Sequence, residues 1–320
     1  MHYVNLGDTG IKISKLGFGT MTFGSEADEK TSLNLYQKCR EYGINLFDCA
    51  NVYNKGRAEI ILGKCIASER DEVIITSKVY CSTSEKINAG GLSRRHIIES
   101  VEKSLKRLNT NYIDIYFMHF FDVNTSLYET LSAMTDLVKQ GKILYLGASN
   151  FAAWQVMKAL GISTKEFFTK IVCIQPMYNI LRRQAEVEIF PMALSEKIGV
   201  ITYNPLAGGL LSGKYTLDTV QGRLKENKMY QLRYVNTVDS KIANSFIDFA
   251  KKLNLNPVAL AIAWSATNPA VTAPLLGARS VEQLTECFET IKITLNEDLR
   301  SEISALSTDP PLATDRNEEK

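Results

Sequence analysis

The sequence predicts an α/β chain folded as a (β/α)8 barrel, led by an N-terminal β-hairpin and closed by extra C-terminal helices. Three observations carry that prediction. Eight short apolar runs, at 16–20, 44–48, 73–79, 113–119, 143–149, 171–175, 200–203 and 273–278, recur along the chain. Helical patterns separate them. A common joint precedes several of them: in Glu41-Tyr42-Gly43-Ile44, Lys139-Gln140-Gly141-Lys142 and Glu196-Lys197-Ile198-Gly199, a polar helical stretch ends, glycine supplies the left-handed turn, and an apolar run begins.

The runs are rich in Ile, Val, Leu and aromatic residues and are continuous more than alternating, as strands buried on both faces must be. The clearest helix starts at Ser93, an N-cap, and carries Ile97, Ile98, Val101, Leu105 and Leu108 on one stripe. Arg94, Arg95 and His96 read as its solvated first turn. Ahead of the first run, Gly7-Asp8-Thr9-Gly10 sits between two short apolar stretches and predicts a hairpin. Eight strands alternating with helices over about 250 residues or more match a TIM barrel in one domain, here residues 1–320. A doubly wound dinucleotide fold normally shows GxGxxG after its first strand; here Gly17-Phe18-Gly19-Thr20-Met21-Thr22-Phe23-Gly24 misplaces the third glycine.

Composition narrows the function classes. The 320 residues are 45% hydrophobic and 22% charged, an ordinary globular balance. Lys and Arg total 37 against 35 Asp and Glu, so no basic excess points to nucleic acid or an anionic membrane. No apolar run approaches the roughly 18 residues of a membrane span, and the start lacks a signal peptide's basic and apolar regions, so a cytoplasmic location is expected. The six cysteines show no CxxC spacing and three histidines form no metal motif, so reduced thiols and no metal are expected. The polar tail from Thr314 reads as frayed.

A barrel places its chemistry where strands end at the C-terminal face. Reading those ends gives Asp48 with Tyr53 five residues on, Lys78, His119, Ser149-Asn150, Gln175, Tyr203-Asn204 and Gly277-Ala278-Arg279. Taken singly, Asp48 reads as a loop cap, Lys78 as a snorkelling strand end, His119 as a core histidine and Tyr53 as loop packing. Together, from three consecutive strands, they read as a site. A phenol with a reference pKa of about 10 is a poor acid; a neighbouring ammonium is expected to lower that value, a carboxylate to hold the ammonium, and histidine to orient a carbonyl oxygen. That set suits carbonyl reduction, with the hydride coming from a cofactor.

These residues resemble the aldo-keto reductase family over roughly residues 6–306. The motifs are Lys15-Leu16-Gly17-Phe18-Gly19-Thr20, Phe47-Asp48-Cys49-Ala50-Asn51-Val52-Tyr53, Ile75-Thr76-Ser77-Lys78, His119-Phe120-Phe121-Asp122, Gly147-Ala148-Ser149-Asn150-Phe151 and Leu275-Leu276-Gly277-Ala278-Arg279. The resemblance implies a catalytic tetrad of Asp48, Tyr53, Lys78 and His119, and NADPH as cofactor. It implies that Gly19, Thr20, Met21 and Asp48 border the cofactor, that Ser149, Asn150 and Gln175 hold the nicotinamide carboxamide, and that Tyr203 stacks on its ring. The stretch 203–215, with Asn204, Pro205, Leu206, Gly208 and Lys214, is similar to the pyrophosphate loop of the branch that includes potassium-channel β subunits. Read alone, 208–215 is nearly a P-loop, but Tyr215 stands where the Mg²⁺-binding hydroxyl belongs. Gly277, Arg279 and Gln283 match the 2′-phosphate position. Glu286-Cys287 departs from the branch's Glu-Asn, which puts adenine contacts in question, and Arg223 in the long segment after strand seven is left unassigned.

The resemblance thus implies NADPH-dependent reduction of an aldehyde or ketone on a small-molecule carbonyl substrate. Two other readings stay open: an NADPH-binding, redox-sensing partner subunit with slow turnover, and a ketoreductase dedicated to a sugar or polyketide pathway. Neither the substrate nor the oligomeric state is legible.

Overall fold

The structure, a computed structural model, describes residues 1–215 and 222–314, without the side chain of Arg223. Two short strands, β1 (Tyr3–Asn5) and β2 (Lys12–Ser14), pair antiparallel as the expected hairpin. The eight runs become β3 (Gly17–Gly19), β4 (Leu46–Asp48), β5 (Ile74–Val79), β6 (Ile113–Met118), β7 (Ile143–Ser149), β8 (Ile171–Gln175), β9 (Gly199–Thr202) and β10 (Ala273–Leu276). They close into a parallel barrel in the order β10-β3-β4-β5-β6-β7-β8-β9. Closure joins the two ends of the sequence: Leu276 pairs beside Phe18, and Ala273 beside Ile201. Parallel neighbours require crossover connections, so the helices form the outer layer of a (β/α)8 barrel.

The hairpin has a packing role. Leu6 and Ile13, both fully buried, join Leu46, Ile115, Phe117, Cys173, Ile201 and Leu275 in a cluster inside the barrel. Backbone and side-chain bonds bolt the hairpin to the barrel's N-terminal end: Asp8 N donates to Lys197 O at 2.8 Å, and Ser14 N donates to Asn45 Oδ1 at 2.7 Å. One end of the barrel is therefore closed by apolar side chains, which leaves the C-terminal end for polar ones.

That plug corrects one joint. Gly43 and Gly141 have the left-handed φ that the pattern requires, +78° and +69°. At the third joint the left-handed residue is Lys197, at φ +54°, and Gly199 is the first residue of β9. Glycine is needed there because a Cβ would lie 2.4 Å from Leu6 Cδ1.

The helix from Arg94 to Leu108 forms as expected, with Ser93 accepting from His96 N and Ile97, Val101, Leu105 and Leu108 buried. His96, however, is only 2% exposed. Only Arg94 and Arg95 face outward; position 96 shares the inward face with Ser100 one turn on, whose Oγ lies 3.3 Å from His96 Nε2. Burial holds the His96 pKa below its ordinary value. Past β9, where only loop was legible, short helices run Arg223–Glu226 and Lys228–Tyr234, and after the helix Val281–Phe288 an extra C-terminal helix spans Glu297–Ser304. Residues 216–221, the side chain of Arg223 and all of the polar tail beyond Thr314 lie outside the described residues.

If the hairpin is part of the core, Leu6→Ala will lower the unfolding free energy by about 2–5 kcal/mol, the usual range for a buried leucine. Chemical denaturation measures this. A loss under about 1 kcal/mol would mean that the hairpin merely rests on the barrel.

Candidate active site

The strand ends converge as the barrel requires. Thr76 and Lys78 are two residues apart on β5 and so point to the same side, inward, while Asp48 ends β4 in register with Thr76. Lys78 Nζ, fully buried, donates to Asp48 Oδ2 at 2.6 Å, to Asp48 Oδ1 at 2.7 Å and to Cys49 O at 2.8 Å, and lies 3.4 Å from Tyr53 Oη. Asp48 Oδ1 also accepts from Thr76 Oγ1 at 2.6 Å and from Gln175 Nε2 at 2.8 Å. A buried ion pair is tolerable only when its remaining donors and acceptors are satisfied, which is the condition met here.

Tyr53 opens a short turn, Tyr53–Gly56, in which Asn54 and Lys55 take left-handed φ values of 49° and 57°. Asn54 suits that conformation, and its Nδ2 donates to Met21 O (2.9 Å) and Phe23 O (2.8 Å), tying the turn to the loop after β3. The Tyr53 ring meets His119 edge-on with centroids 6.3 Å apart, and Phe120 stacks on His119 at 4.8 Å.

The electrostatics correct one expectation. The Lys78 ammonium does not lower the Tyr53 pKa; burial, and then the Asp48 carboxylate, hold it well above its ordinary value. The reason is geometric: two Asp48 oxygens surround the ammonium within 2.7 Å and offset its field at the phenol. Tyr53 is thus a firmly protonated donor at neutral pH. His119 moves the other way. Burial first, then the Lys78 charge, push its pKa down to about 3, so the imidazole is neutral, and its buried Nδ1 has no hydrogen-bond partner among the described residues.

A second network adjoins the first. Ser149 Oγ donates to Gln175 O at 2.9 Å and accepts from Asn150 Nδ2 at 3.0 Å. Asn150, left-handed at φ +57°, also donates to His119 O and accepts from Tyr203 Oη at 2.8 Å. The Gln175 side chain gives an amide hydrogen to Asp48, and its Oε1 has no hydrogen bond among the described residues. Gly19 and Thr20 lie beside this group, with Thr20 Oγ1 donating to Asp48 O at 2.9 Å. Beyond Tyr203, Asn204 Oδ1 accepts from Gly208 N at 2.8 Å, and Gly208 and Gly209 are both left-handed. Pro205 and Leu206 lie within this turn, and Lys214 follows it with its ammonium over the Tyr215 ring at 5.2 Å. Gly277 is exposed at the end of β10. Ser280 caps the helix Val281–Phe288, Gln283 Oε1 accepts from Arg279 N at 3.1 Å, and no hydrogen bond or ion pair among the described residues engages the Arg279 guanidinium.

Two contributors were missed in the sequence. Thr76 was signalled by its two-residue offset from Lys78. Tyr234, whose Oη accepts from Asn204 Nδ2 at 2.6 Å, came from a helix with no legible motif. Cys287 is 2% exposed and faces the core, its Sγ donating to Gln283 O at 3.3 Å.

A profile described as "Aldo/keto reductase family" matches residues 15–308. The chain is 37% identical over 317 residues to the "Uncharacterized oxidoreductase YrpG" of Bacillus subtilis, covering 93% of this chain and 94% of that one. It is 34% identical over 306 residues to a "Probable voltage-gated potassium channel subunit beta" of Arabidopsis thaliana, covering 92% of each chain. A protein of the same description from Oryza sativa is 32% identical over 326 residues, covering 98% of this chain and 99% of that one.

The depressed His119 pKa has a direct readout. A histidine whose folded value lies below the unfolded one, about 6.5, contributes stability above that pH, and the contribution is lost as pH falls towards about 3. In an NMR titration the His119 ring resonances will therefore stay fixed from about pH 8 to 5, through the ordinary histidine midpoint. A midpoint near 6.5 would show that the imidazole is open to water and remote from the Lys78 charge.

Proposed function

The chain belongs to the aldo/keto reductase family, and from that premise we propose that it reduces aldehyde or ketone groups of small molecules to alcohols with NADPH, Tyr53 acting as the general acid. The observation that carries this reading is the Lys78 ammonium, fully buried, clasped by Asp48 and 3.4 Å from the Tyr53 hydroxyl. NADPH, when bound, supplies the hydride.

The chain's own groups would do the rest. Reduction leaves charge on the carbonyl oxygen, and Tyr53, protonated well above neutral pH, is placed to give that oxygen its proton. As the phenol ionises, Lys78 is the nearest positive group to receive the developing charge, and Asp48 keeps it oriented. His119, neutral, would orient the carbonyl by a hydrogen bond without competing as an acid. The site fits the cofactor. Gln175 Oε1, without a hydrogen bond among the described residues, is suited to an amide, Lys214 stands beside the glycine turn after Tyr203 as a cation for a pyrophosphate, and the Arg279 guanidinium, unengaged among the described residues, lies at a helix start. Ser149 and Asn150 would frame the carboxamide, Tyr203 would face the ring, and Lys214 and Gln283 would border the phosphates.

A second reading, a cofactor-binding partner subunit with slow turnover, is favoured by one observation: two relatives carry the description of potassium channel β subunits. Turnover with a panel of aldehydes separates the two, because a partner subunit would bind NADPH and reduce little.

Tyr53→Phe removes the proton and little else. Reduction should fall by a factor on the order of 10² or more, with NADPH affinity unchanged. Near wild-type rates in a stopped assay of NADPH absorbance would remove Tyr53 from the mechanism. Arg279→Ala tests cofactor choice. A charge-assisted contact contributes roughly 1.5–3 kcal/mol, so NADPH binding should weaken about ten- to a hundredfold while NADH binding stays the same. Fluorescence titration of both cofactors measures it, and equal losses would assign Arg279 to the fold or to the part that the two cofactors share.

A further inference from the structure

Behind the site, on the outer face of β5, sits a second buried charge that the tetrad chemistry does not use. Glu59, on the helix Arg57–Ile66, is fully buried. Its Oε1 accepts from Ser77 Oγ at 2.6 Å and its Oε2 accepts from Arg107 Nε at 2.6 Å. Ser77 immediately precedes Lys78 and points away from the barrel interior, as strand alternation demands. Arg107, on the helix Arg94–Leu108, also lies against the Tyr53 turn: a Cβ on Gly56 would come within 2.8 Å of Arg107 Cδ. The cluster therefore touches the chain three residues after Tyr53 and one residue before Lys78.

We propose that Glu59 is a positioning residue that sets the separation between the Tyr53 hydroxyl and the Lys78 ammonium. This rests on the reading of Tyr53 as the proton donor. Tyr53 is held by its turn, and the turn is continuous with the helix that carries Glu59. Lys78 is held by β5. The Ser77–Glu59 bond is the direct polar tie between that helix and the outer face of the strand beside Lys78. Two apolar side chains would bind helix to strand at least as well, because a buried ion pair adds little net stability over a well-packed apolar contact. What a short directional bond adds is registry: it fixes where the strand lies along the helix. The Tyr53–Lys78 contact, at 3.4 Å, is already long for a hydrogen bond, so a small slip of the strand would break it.

A double-mutant cycle tests the role. Glu59→Gln keeps the shape and removes the charge; kcat for aldehyde reduction should fall about tenfold, since misplacement of reacting groups by an ångström is felt strongly. KM and NADPH affinity should stay within about twofold, because the cluster lies on the outer face of β5, on the far side of the strand from Lys78. The discriminating readout is the Tyr53→Phe background, where Glu59→Gln should change the residual rate less than about twofold, there being no phenol left to position. Ser77→Ala cuts only the tie to β5, keeps the Glu59–Arg107 pair intact, and should reproduce the non-additive loss in smaller degree even where Glu59→Gln fails to fold. Equal fold-losses with and without Tyr53, or an unaltered kcat in Ser77→Ala, would overturn the proposal and leave Glu59 as packing. A Tyr53→Phe single variant that retains full activity would overturn the acid assignment, and this role with it.

Discussion

Lys78 and Asp48 share a volume from which water is almost excluded, and removing either charge alone would strand the other at a cost of about 3–5 kcal/mol. Most of the polar architecture at the barrel mouth follows from keeping that pair solvated by protein. Thr76 and Gln175 both donate to Asp48 Oδ1, and the carbonyl of Cys49 takes a further hydrogen of the ammonium. The pair also bears on the states of its neighbours. Burial is the larger cause of both states, and the pair adds to it: the Asp48 charge helps keep Tyr53 protonated and the Lys78 charge helps keep His119 neutral, so each group begins in the form that carbonyl reduction would need.

The pair is affordable because the two ends of the barrel are built differently. At the N-terminal end Leu6 and Ile13 enter the interior cluster, and Gly17 and Gly199 leave the space that Leu46 and Leu6 fill. Midway, Phe117 packs over Gly147, where a Cβ would come within 2.4 Å of the ring. The charged and amide groups of the site, Asp48, Lys78 and Gln175, stand at or next to the C-terminal ends of their strands. Because Asp48, Lys78, Ser149 and Gln175 end or nearly end their strands, the rigid ladder sets their positions, whereas Tyr53, Asn150 and Asn204 depend on turns with left-handed residues.

The barrel and the convergence of Asp48, Lys78, His119, Ser149 and Gln175 were legible in the sequence, because a parallel strand buried on both faces is a short apolar run and a polar residue at its end has few places to go. What escaped depended on distances across the fold. Gly199 looks like another helix-ending glycine until Leu6 is seen to occupy the place of its side chain. His96 follows two arginines and reads as solvated, yet one step of about 100° around the helix turns it inward. The acidity of Tyr53 was read with the wrong sign because one-dimensional spacing shows that an ammonium is near but not that both oxygens of a carboxylate already surround it. Glu59 gave no signal at all, since a glutamate in Ala58-Glu59-Ile60-Ile61 could face either side.

Closure between β3 and β10 also sets the order in which the chain can be completed. Phe18 waits for Leu276, and β9 waits for Ala273, so neither sheet edge has its partner until nearly the whole polypeptide has left the ribosome. At about 5–20 residues per second that delay is on the order of ten to fifty seconds, during which an incomplete sheet presents two strand edges and an apolar bore. The hairpin is synthesised first but has no pocket to enter until β9 and β10 arrive, so its docking belongs to the last stage of folding. Ring closure across so many residues makes this a high-contact-order topology, slow to nucleate and, once shut, without a free edge from which to unzip.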